Sequence, residues 1–547
     1  MKKFITLSSL CLVLGGANFD ADACTSLLVG KKASIDGSTM ISYAADSHTL
    51  YGELYHWPAK TYPKGAMLDI YEWDTNKYLG KIPQVEQTFN VVGNMNEYQL
   101  SITESTWGGR EELQDSTGIM DYGSLIYVTL QRAKTAREAI KVMTNLVKDH
   151  GYFSSGESFS IADPNEVWVM EMIGKGPGRK GDVWVAIRIP DDCISAHANH
   201  SRIHKFNQKD KENCIYSDDV ISFAKEKGYF KGKDKDFSFS SAYAEADFSA
   251  LRGCDARVWS FYNKYSSDMD KYLPYLQGKA DEPLPLYIKP DRKLAVRDVQ
   301  NMMRDHFEGT PFDMTQDVGA GPFKSPYRFR PMTFTVDSVR YTNERAIATQ
   351  QTGFTLVAQM RDYLPNAIGG ILWFGVDDAN TAVYTPMYCS ITEIPECYKV
   401  GNGDMYNFSW TSAFWIHNWV ANQAYARYEP MIGDIRNVQN NLETKFETLQ
   451  PSIEKAAVEL YNTNPQAAIS FLNSYSVNEA QNATTEWKKL GEYLMVKFID
   501  GNVKKEENGE FKLSPFGLPV TPSFPGYSEE YYRAVAKDAG ENLKVTF

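Results

Sequence analysis

A cysteine directly behind an export signal constrains this chain more than any other feature. The chain begins with the positive run Met1-Lys2-Lys3, continues with an apolar segment over residues 4–17, and reaches Ala21-Asp22-Ala23. A basic segment, an apolar segment and an A-x-A site in this order are typical of a secretory signal peptide. The sequence therefore predicts cleavage after Ala23 and a mature chain that starts at Cys24, in the periplasm or the extracellular space.

A cysteine in first position carries a nucleophile and a base in one residue. Its α-amino group has a pKa of about 7.7–8.0, so part of it is neutral near physiological pH. A neutral amine can take up the thiol proton, directly or through one water, and activate the sulfur without a histidine. Cys24 is also followed by a strand-like segment, residues 24–29. The position predicts a hydrolase that forms a thioester on Cys24.

Two other roles for Cys24 stay open. A lipid-anchored cysteine would directly follow apolar residues, whereas Asn18-Phe19-Asp20 and Asp22 intervene here. A disulfide cysteine is the second alternative, and in an oxidising compartment the close Cys389 and Cys397 are candidates for pairing. The mature chain keeps six of the seven cysteines. If one of them is a nucleophile, at least one more is unpaired, which does not indicate a disulfide scaffold.

Charge and hydropathy exclude two classes of partner. The formal net charge is −12 and no long basic run occurs, whereas nucleic-acid binding needs clustered Lys and Arg. Behind the signal there is no apolar run of about 18 residues, so we expect neither a membrane span nor a membrane anchor. The 43% apolar content is enough for a substantial core. A homo-oligomer remains open.

Strand pairs dominate the first part of the chain. Residues 24–29 and 38–43 form a predicted hairpin around Asp36-Gly37. A second hairpin joins residues 167–173 to 183–189 through a glycine-rich loop. That loop is not interpreted as a phosphate cradle, because a strand follows it where such a cradle needs a helix.

Helical patterns follow in two places. Thr135 to Glu138 is predicted to cap a helix whose apolar residues keep helical spacing until Gly151. Long helical patterns then occupy residues 410–500, behind a further β-like stretch that reaches about Cys397. This order predicts an α+β layered core with a helical C-terminal section.

Several segments together resemble one known family: Cys24 to Ser34, Asp36 to Met40, Gly93 to Glu97, Glu104 to Thr106, Ala196 to Ile203, His306 to Asp313 and Gly319 to Phe323. They are similar to the dipeptidase A family of cysteine dipeptidases, in the N-terminal nucleophile hydrolase superfamily. The resemblance covers most of residues 24 to about 400. It implies an αββα core of two stacked sheets between helical layers, and a peptidase for small peptides that needs no metal or cofactor. We expect a signal peptide at 1–23, the core at 24–405 and a mainly helical section at 406–547.

The resemblance also implies roles for four residues. Cys24 is the expected nucleophile, and Asp46 is the carboxylate near the nucleophile and amine. Asn199 matches an asparagine near the oxyanion, and Arg257 matches a charged residue near the nucleophile. A carboxylate can orient the amine, and an amide NH₂ can stabilise charge on a tetrahedral oxygen. Without the resemblance, a strand-end aspartate, a turn asparagine and a helix-surface arginine would be the ordinary interpretations.

One position departs from the family. Many relatives carry Ala-Arg two or three residues before the matching aspartate, whereas this chain has Ser42-Tyr43-Ala44-Ala45-Asp46. Tyr43 thus stands where an arginine often neighbours the thiolate. Arg257 or Arg110 could supply the missing positive charge.

Three further hypotheses remain beside the dipeptidase. The first is an amidase acting on non-peptide amides, such as conjugated bile acids or penicillins, and the second is a non-catalytic exported peptide-binding protein. The third is a metallohydrolase that uses His197, His200 and His204. On a helix these histidines would share a face, but the residues before them favour a strand, which would turn His197 and His200 to opposite faces. No acidic residue occupies the HExxH position.

Overall fold

The structure, a computed structural model, describes residues 24–546. The predicted signal peptide lies outside these residues. The fold is a mixed α+β arrangement of antiparallel sheets and helices.

The strands of the described residues are short to medium in length, up to nine residues. In chain order they are β1 (Ser26–Val29), β2 (Thr39–Asp46), β3 (His56–Trp57), β4 (Lys60–Thr61), β5 (Met67–Tyr71), β6 (Tyr78–Pro83), β7 (Gln87–Thr88), β8 (Val91–Val92), β9 (Met95–Asn96), β10 (Ser101–Gly108), β11 (Gly156–Ala162), β12 (Val167–Gly174), β13 (Asp182–Ile189), β14 (Ile194–His197), β15 (Cys214–Tyr216), β16 (Tyr287–Ile288), β17 (Thr333–Val336), β18 (Val339–Thr342), β19 (Thr352–Met360), β20 (Ile371–Val376), β21 (Thr385–Tyr388), β22 (Glu506–Glu507) and β23 (Glu510–Phe511).

The helices lie between and after these strands. They are α1 (Tyr122–Leu130), α2 (Ala136–His150), α3 (Val220–Glu226), α4 (Phe239–Tyr243), α5 (Ala256–Tyr265), α6 (Leu273–Leu276), α7 (Val296–Met303), α8 (Asn366–Gly369), α9 (Ala413–Ala426), α10 (Tyr428–Thr463), α11 (Pro465–Lys497) and α12 (Glu529–Ala539).

Two large sheets organise residues 26–388. One has the strand order β16-β14-β1-β2-β19-β20-β21, and the other has the order β15-β13-β12-β11-β10-β9-β8-β3. In the first sheet β2 is central, and the β2–β19 register places Asp46 opposite Thr352. Every residue of β1, β2, β11 and β12 is buried, and apart from the carboxylates Asp46, Glu157 and Glu171 these strands carry no charged side chain.

The two sheets contact each other through their central strands, and helices cover their other faces. β2 touches β10, β11 and β12 of the second sheet. Helix α7 packs on β2 and β19, and α5 packs on β14, whereas α1 and α2 pack on β10 and β11. A separate apolar cluster, which includes Leu125, Ile140, Met143, Phe159 and Trp168, lies under α1 and α2.

Helix α2 confirms the capping pattern read from the sequence. The Thr135 side chain accepts from the Glu138 backbone N–H, and Gly151 ends the helix with a positive φ of 80°. The Glu138 carboxylate accepts from the Lys134 backbone N–H at 2.8 Å, one residue earlier than in a full capping box.

The C-terminal part is dominated by the long helices α10 and α11, which pack on each other and on α9. Helix α11 also contacts β21, and so joins the helices to the edge of the first sheet. Within residues 24–546, no helix combines the length and apolar character that crossing a bilayer would require.

Candidate active site

Cys24 lies just ahead of β1 and is held against the neighbouring strand. The Thr25 backbone bonds to Ala44 of β2 in both directions, at 3.2 and 3.0 Å. The Cys24 side chain is only 7% exposed, and it lines two adjoining cavities. The site therefore combines a fixed backbone with a sulfur that faces open space.

Tyr43 and Glu104 join Cys24 to the second sheet. The Tyr43 hydroxyl lies 3.6 Å from the Cys24 sulfur and donates to Glu104 Oε1. The Cys24 sulfur and the Tyr43 oxygen lie within hydrogen-bonding distance, and either atom can be the donor between them. Glu157 opposes Thr106 in the β10–β11 register, which places it diagonal to Glu104 on the same face.

This acidic neighbourhood determines the protonation of the thiol. Burial, followed by the charges of Glu104 and Asp46, raises the pKa of Cys24 well above its ordinary value. Burial and the adjacent Glu104 likewise raise the pKa of Glu157 well above its ordinary value. Cys24 is therefore a neutral thiol at rest, and its attack on a carbonyl requires a base.

Asp46 ends β2 in a fully buried ion pair. Arg345 donates to Oδ2 at 2.5 Å, and the Thr352 hydroxyl donates to Oδ1 at 2.6 Å. Burial raises the pKa of Asp46, while the Arg345 guanidinium acts in the opposite direction. Arg345 was not anticipated from the sequence, because it lies in a loop with no recognisable pattern.

Arg257 connects the nucleophile to Asn199. It lies on α5, directly after a π-helical segment, Ala250–Asp255, and is 1% exposed. One Nη donates to the Cys24 carbonyl and to Thr25 Oγ1, both at 2.8 Å, and the other donates to Asn199 Oδ1 at 3.0 Å. Burial, with a contribution from Arg345, lowers the pKa of Arg257 to about 10, which still leaves it charged at neutral pH.

Asn199 adopts a backbone conformation that few residues tolerate. Its φ is 57°, in the left-handed region where asparagine is enriched among non-glycine residues. Its side-chain nitrogen donates to the Thr106 carbonyl at 2.6 Å. Asn199, Arg257 and Cys24 line the same cavity. The structure thus brings all four predicted site residues together, and neither Asn199 nor Arg257 is an ordinary surface residue.

Tyr43 stands where the family resemblance implies an arginine, and the structure shows which arginines lie near Cys24 instead. Arg257 donates to the Cys24 carbonyl, and Arg345 lines the larger cavity together with Cys24. Arg110 pairs with Glu245 and lies 3.9 Å from the centre of the Tyr229 ring. Glu104 was not predicted to belong to the site, although the sequence carries a signal for it. It is an acidic residue in a strand, β10, whose other residues up to Ser105 are buried and carry no charge.

The two cavities differ in character. The smaller one measures about 270 Å³ and is walled largely by aromatic side chains, and the larger one measures about 970 Å³ and carries most of the charged residues. Cys24, Asp74 and Tyr122 line both. The nucleophile therefore stands where a substrate could extend to either side.

The three histidines of the rival hypothesis do not form a common site. His197 ends β14, and its ring nitrogens bond to Ser105 and Ser160 at 2.6 and 2.7 Å. Burial, with the charge of Arg202, lowers the pKa of His197 to about 3. His200 Nδ1 lies 3.2 Å from Asp255. Among residues 24–546, no group of three or more His, Cys, Asp or Glu side chains is placed to hold a metal ion.

Cys389 and Cys397, the candidates for a disulfide, are not bonded to each other. Both are free thiols, as are the other four cysteines between residues 24 and 546. Cys389 follows β21 and donates to the Asn366 carbonyl at 3.2 Å, so its sulfur is directed at α8.

Comparison with known proteins identifies the family of this chain. Residues 23–56 and 50–441 match the model of peptidase family C69. A protein named probable dipeptidase from Salmonella dublin is 27% identical over 71% of this chain and 85% of its own length. A protein of the same name from Latilactobacillus sakei is 26% identical over 74% of this chain and 81% of its own length. Dipeptidase A of Lactobacillus helveticus is 25% identical over 78% of this chain and 85% of its own length.

The family match spans most of the chain and includes Cys24, Asp46, Asn199 and Arg257. It confirms the resemblance stated from the sequence. The chain belongs to peptidase family C69 and is a peptide-bond hydrolase.

Proposed function

We propose that this chain is an exported cysteine dipeptidase whose nucleophile is Cys24 as the first residue of the mature protein. The observation that carries the proposal is the contact set of Cys24: a buried thiol of raised pKa, lining two cavities, with Arg257 on its carbonyl and Asp46 beside it. The relatives named dipeptidase support the substrate class.

We further propose that the two contacting sheets and their helical covers form the αββα sandwich of N-terminal nucleophile hydrolases. The core would span residues 24–405 and the helical section 406–547, behind a cleaved signal at 1–23. Contacts between β2 and β10, with α7 and α2 on the outer faces, support this arrangement. The oligomeric state is left to measurement.

The first chemical step is acylation. The neutral α-amine of Cys24 takes the thiol proton as the sulfur attacks the carbonyl carbon of the dipeptide. The carbonyl oxygen becomes an oxyanion, and the tetrahedral intermediate collapses with cleavage of the C–N bond. The leaving nitrogen takes the proton from the ammonium of Cys24, and the C-terminal amino acid departs. The N-terminal amino acid remains as a thioester on the sulfur.

The second step is hydrolysis of that thioester. The α-amine accepts a proton from water as the water oxygen attacks the thioester carbonyl. Collapse of the second tetrahedral intermediate breaks the C–S bond, and the sulfur takes the proton back. The amine acts as a base in the first step because Cys24 is a neutral thiol at rest, and in the second step because water must lose a proton as it attacks.

The surrounding groups have separate tasks in this proposal. Asp46, fixed by Arg345 and Thr352, orients the amine. Asn199 stabilises the oxyanion through its side-chain amide, and Arg257 holds both Asn199 and the Cys24 carbonyl in register. A displacement of about 1 Å in such a constellation can cost about 10²-fold in rate, and the burial of Asp46, Arg257 and Thr352 restrains their positions.

Intact-mass measurement during turnover tests the proposal. Rapid acid quenching of the mature protein with a good dipeptide should reveal a mass increase equal to the N-terminal residue, absent from Cys24→Ala. Activity should survive a strong chelator and be lost on thiol alkylation. Absence of the adduct together with zinc-restorable loss under chelation would replace this mechanism with a metallohydrolase.

A further inference from the structure

The smaller cavity beside Cys24 has an unusual wall. Its aromatic lining consists of Tyr43, Tyr51, Tyr55, Trp57, Trp73, Tyr122, Tyr127 and Phe354. Leu50 and Ile126 add aliphatic surface. Apolar and aromatic walls bind apolar groups by removing them from water.

The rings support one another and so keep their positions. Trp57 stacks on Tyr127 with centroids 4.9 Å apart and 7° between their planes, and Tyr55 meets Trp73 edge-on at 4.8 Å. All four remain half-buried although they contact each other. Gly123 leaves room for Trp73, since a Cβ at that position would lie 2.5 Å from the Trp73 side chain. The cavity is thus a built feature of the fold.

Asp74 introduces one charge at the boundary with the larger cavity. Tyr122 donates to Asp74 Oδ1 at 2.8 Å, and both residues line the two cavities together with Cys24. The Asp74 carboxylate is exposed enough to reach a bound ligand. A carboxylate at the mouth of an apolar pocket matches a ligand that carries an ammonium next to an apolar side chain.

We infer that the aromatic cavity, with Asp74 at its mouth, is the subsite for the N-terminal residue of the substrate. It takes a large apolar or aromatic side chain, while Asp74 pairs with the α-ammonium of that residue. This inference rests on the proposed dipeptidase function and adds its substrate class: dipeptides with an unblocked, aromatic N-terminal residue.

The size of the cavity agrees with this assignment. At about 270 Å³ it lies just under the range of about 300–1,000 Å³ for whole-ligand pockets, so it suits one large side chain rather than an entire peptide. The larger cavity on the other side of Cys24 is then left for the leaving amino acid. Burial of one aromatic side chain here is worth on the order of 10- to 100-fold in kcat/KM over alanine.

A four-substrate panel tests the inference on the wild-type protein. Phe-Ala should exceed Ala-Ala by on the order of 10- to 100-fold in kcat/KM. N-acetyl-Phe-Ala and phenylacetyl-alanine keep the ring but lack the ammonium, and each should fall at least about tenfold below Phe-Ala. Cleavage of Ala-Ala as fast as Phe-Ala would overturn the subsite and leave the dipeptidase standing. Cleavage of phenylacetyl-alanine alone would overturn both in favour of an amidase.

Two variants test whether the aromatic cavity and Asp74 cause this substrate preference. Trp73→Leu should reduce the preference for Phe-Ala over Ala-Ala about tenfold, whereas Trp410→Leu, an exposed tryptophan outside the cavity, should leave the preference unchanged. Asp74→Asn keeps an acceptor for Tyr122, and should lower kcat/KM for Phe-Ala about tenfold with no loss on phenylacetyl-alanine. An equal loss on both substrates would contradict the role of Asp74.

Discussion

The Tyr43 hydroxyl bridges the Cys24 sulfur, 3.6 Å away, and the Glu104 carboxylate of the facing sheet. Burial and the charges of Glu104 and Asp46 raise the pKa of the Cys24 thiol well above its ordinary value, so the thiol stays protonated until a base removes the proton. Tyr43, rather than a cationic side chain, therefore makes the side-chain contact with the resting nucleophile.

Tyr43→Phe removes this bridge while it keeps the ring. The Tyr43 hydrogen bond lowers the pKa of the Cys24 thiol, so its loss should raise that pKa further. We expect kcat/KM to fall about tenfold, and iodoacetamide to alkylate Cys24 more slowly at pH 8. Thermal unfolding of the variant serves as the folding control. An unchanged alkylation rate would show that Tyr43 has no influence on the thiol.

Replacement of Asn199 should affect the chemical step rather than binding. Loss of an oxyanion donor costs about 10²–10³ in kcat, with little change in KM. Because Asn199 has a φ of 57°, Asn199→Ala also introduces strain, and Asn199→Gly is the matched variant that avoids it. Both variants should lose kcat alike. A change confined to KM would assign Asn199 to substrate binding.

We expect the Asp46–Arg345 ion pair to contribute strongly to the free energy of unfolding. Arg345→Met leaves the Asp46 charge buried and uncompensated, for which we expect a loss of about 3–5 kcal/mol in the free energy of unfolding. The double variant with Asp46→Asn should recover most of that loss. Urea unfolding of the single and double variants measures both values. Equal destabilisation by the single and double changes would argue against a coupled pair.

His417 should make stability sensitive to acid. It is buried against Trp487, with ring centroids 4.8 Å apart, and burial lowers its pKa to about 3. The unfolded histidine has a pKa of about 6.5, so between these values the unfolded state binds the extra proton. Stability present above pH ~6.5 is thus lost as pH falls toward the folded pKa, by up to about 1.4 kcal/mol per pH unit.

His417→Phe should remove the part of the pH dependence of stability that comes from this histidine. At pH 8 the histidine is neutral in both states, so the difference between the proteins there reports packing alone. Urea unfolding at half-unit steps from pH 8 to pH 4 measures the slope. If both proteins lose stability equally over this range, His417 is not the source of acid sensitivity.

Local sequence patterns predicted much of the fold because they report on single elements. Thr135 and Gly151 delimit α2 as expected, and the hairpin of β12 and β13 follows the alternation around the glycine-rich loop. The site residues were found differently. Cys24, Asp46, Asn199 and Arg257 were assigned by resemblance to a family, and the structure places them around two adjoining cavities that Cys24 lines.

The missing parts of the site depend on pairings between distant residues. Asp46 contacts Arg345, 299 positions away, because β19 lies beside β2. The loop that precedes β19 carries Arg345 to the end of β2, where Asp46 lies. The aromatic cavity combines rings from β3, the segment after β5 and helix α1. Alternation and capping signals carry no information about which strands become neighbours, so these contacts were not predictable from this sequence alone.

The central claim is that the α-amine of Cys24 is the base, and one added residue tests it. A protein produced with a single alanine before Cys24 keeps the thiol but converts the amine to an amide, which takes up no proton near neutral pH. It should be folded and lose the 10²–10⁴-fold contribution typical of general-base assistance. Cys24→Ser with a free N-terminus controls for blockage of the cleft, and should also be strongly impaired. Full dipeptide hydrolysis by the extended protein would contradict the account, because another group would then have to be the base.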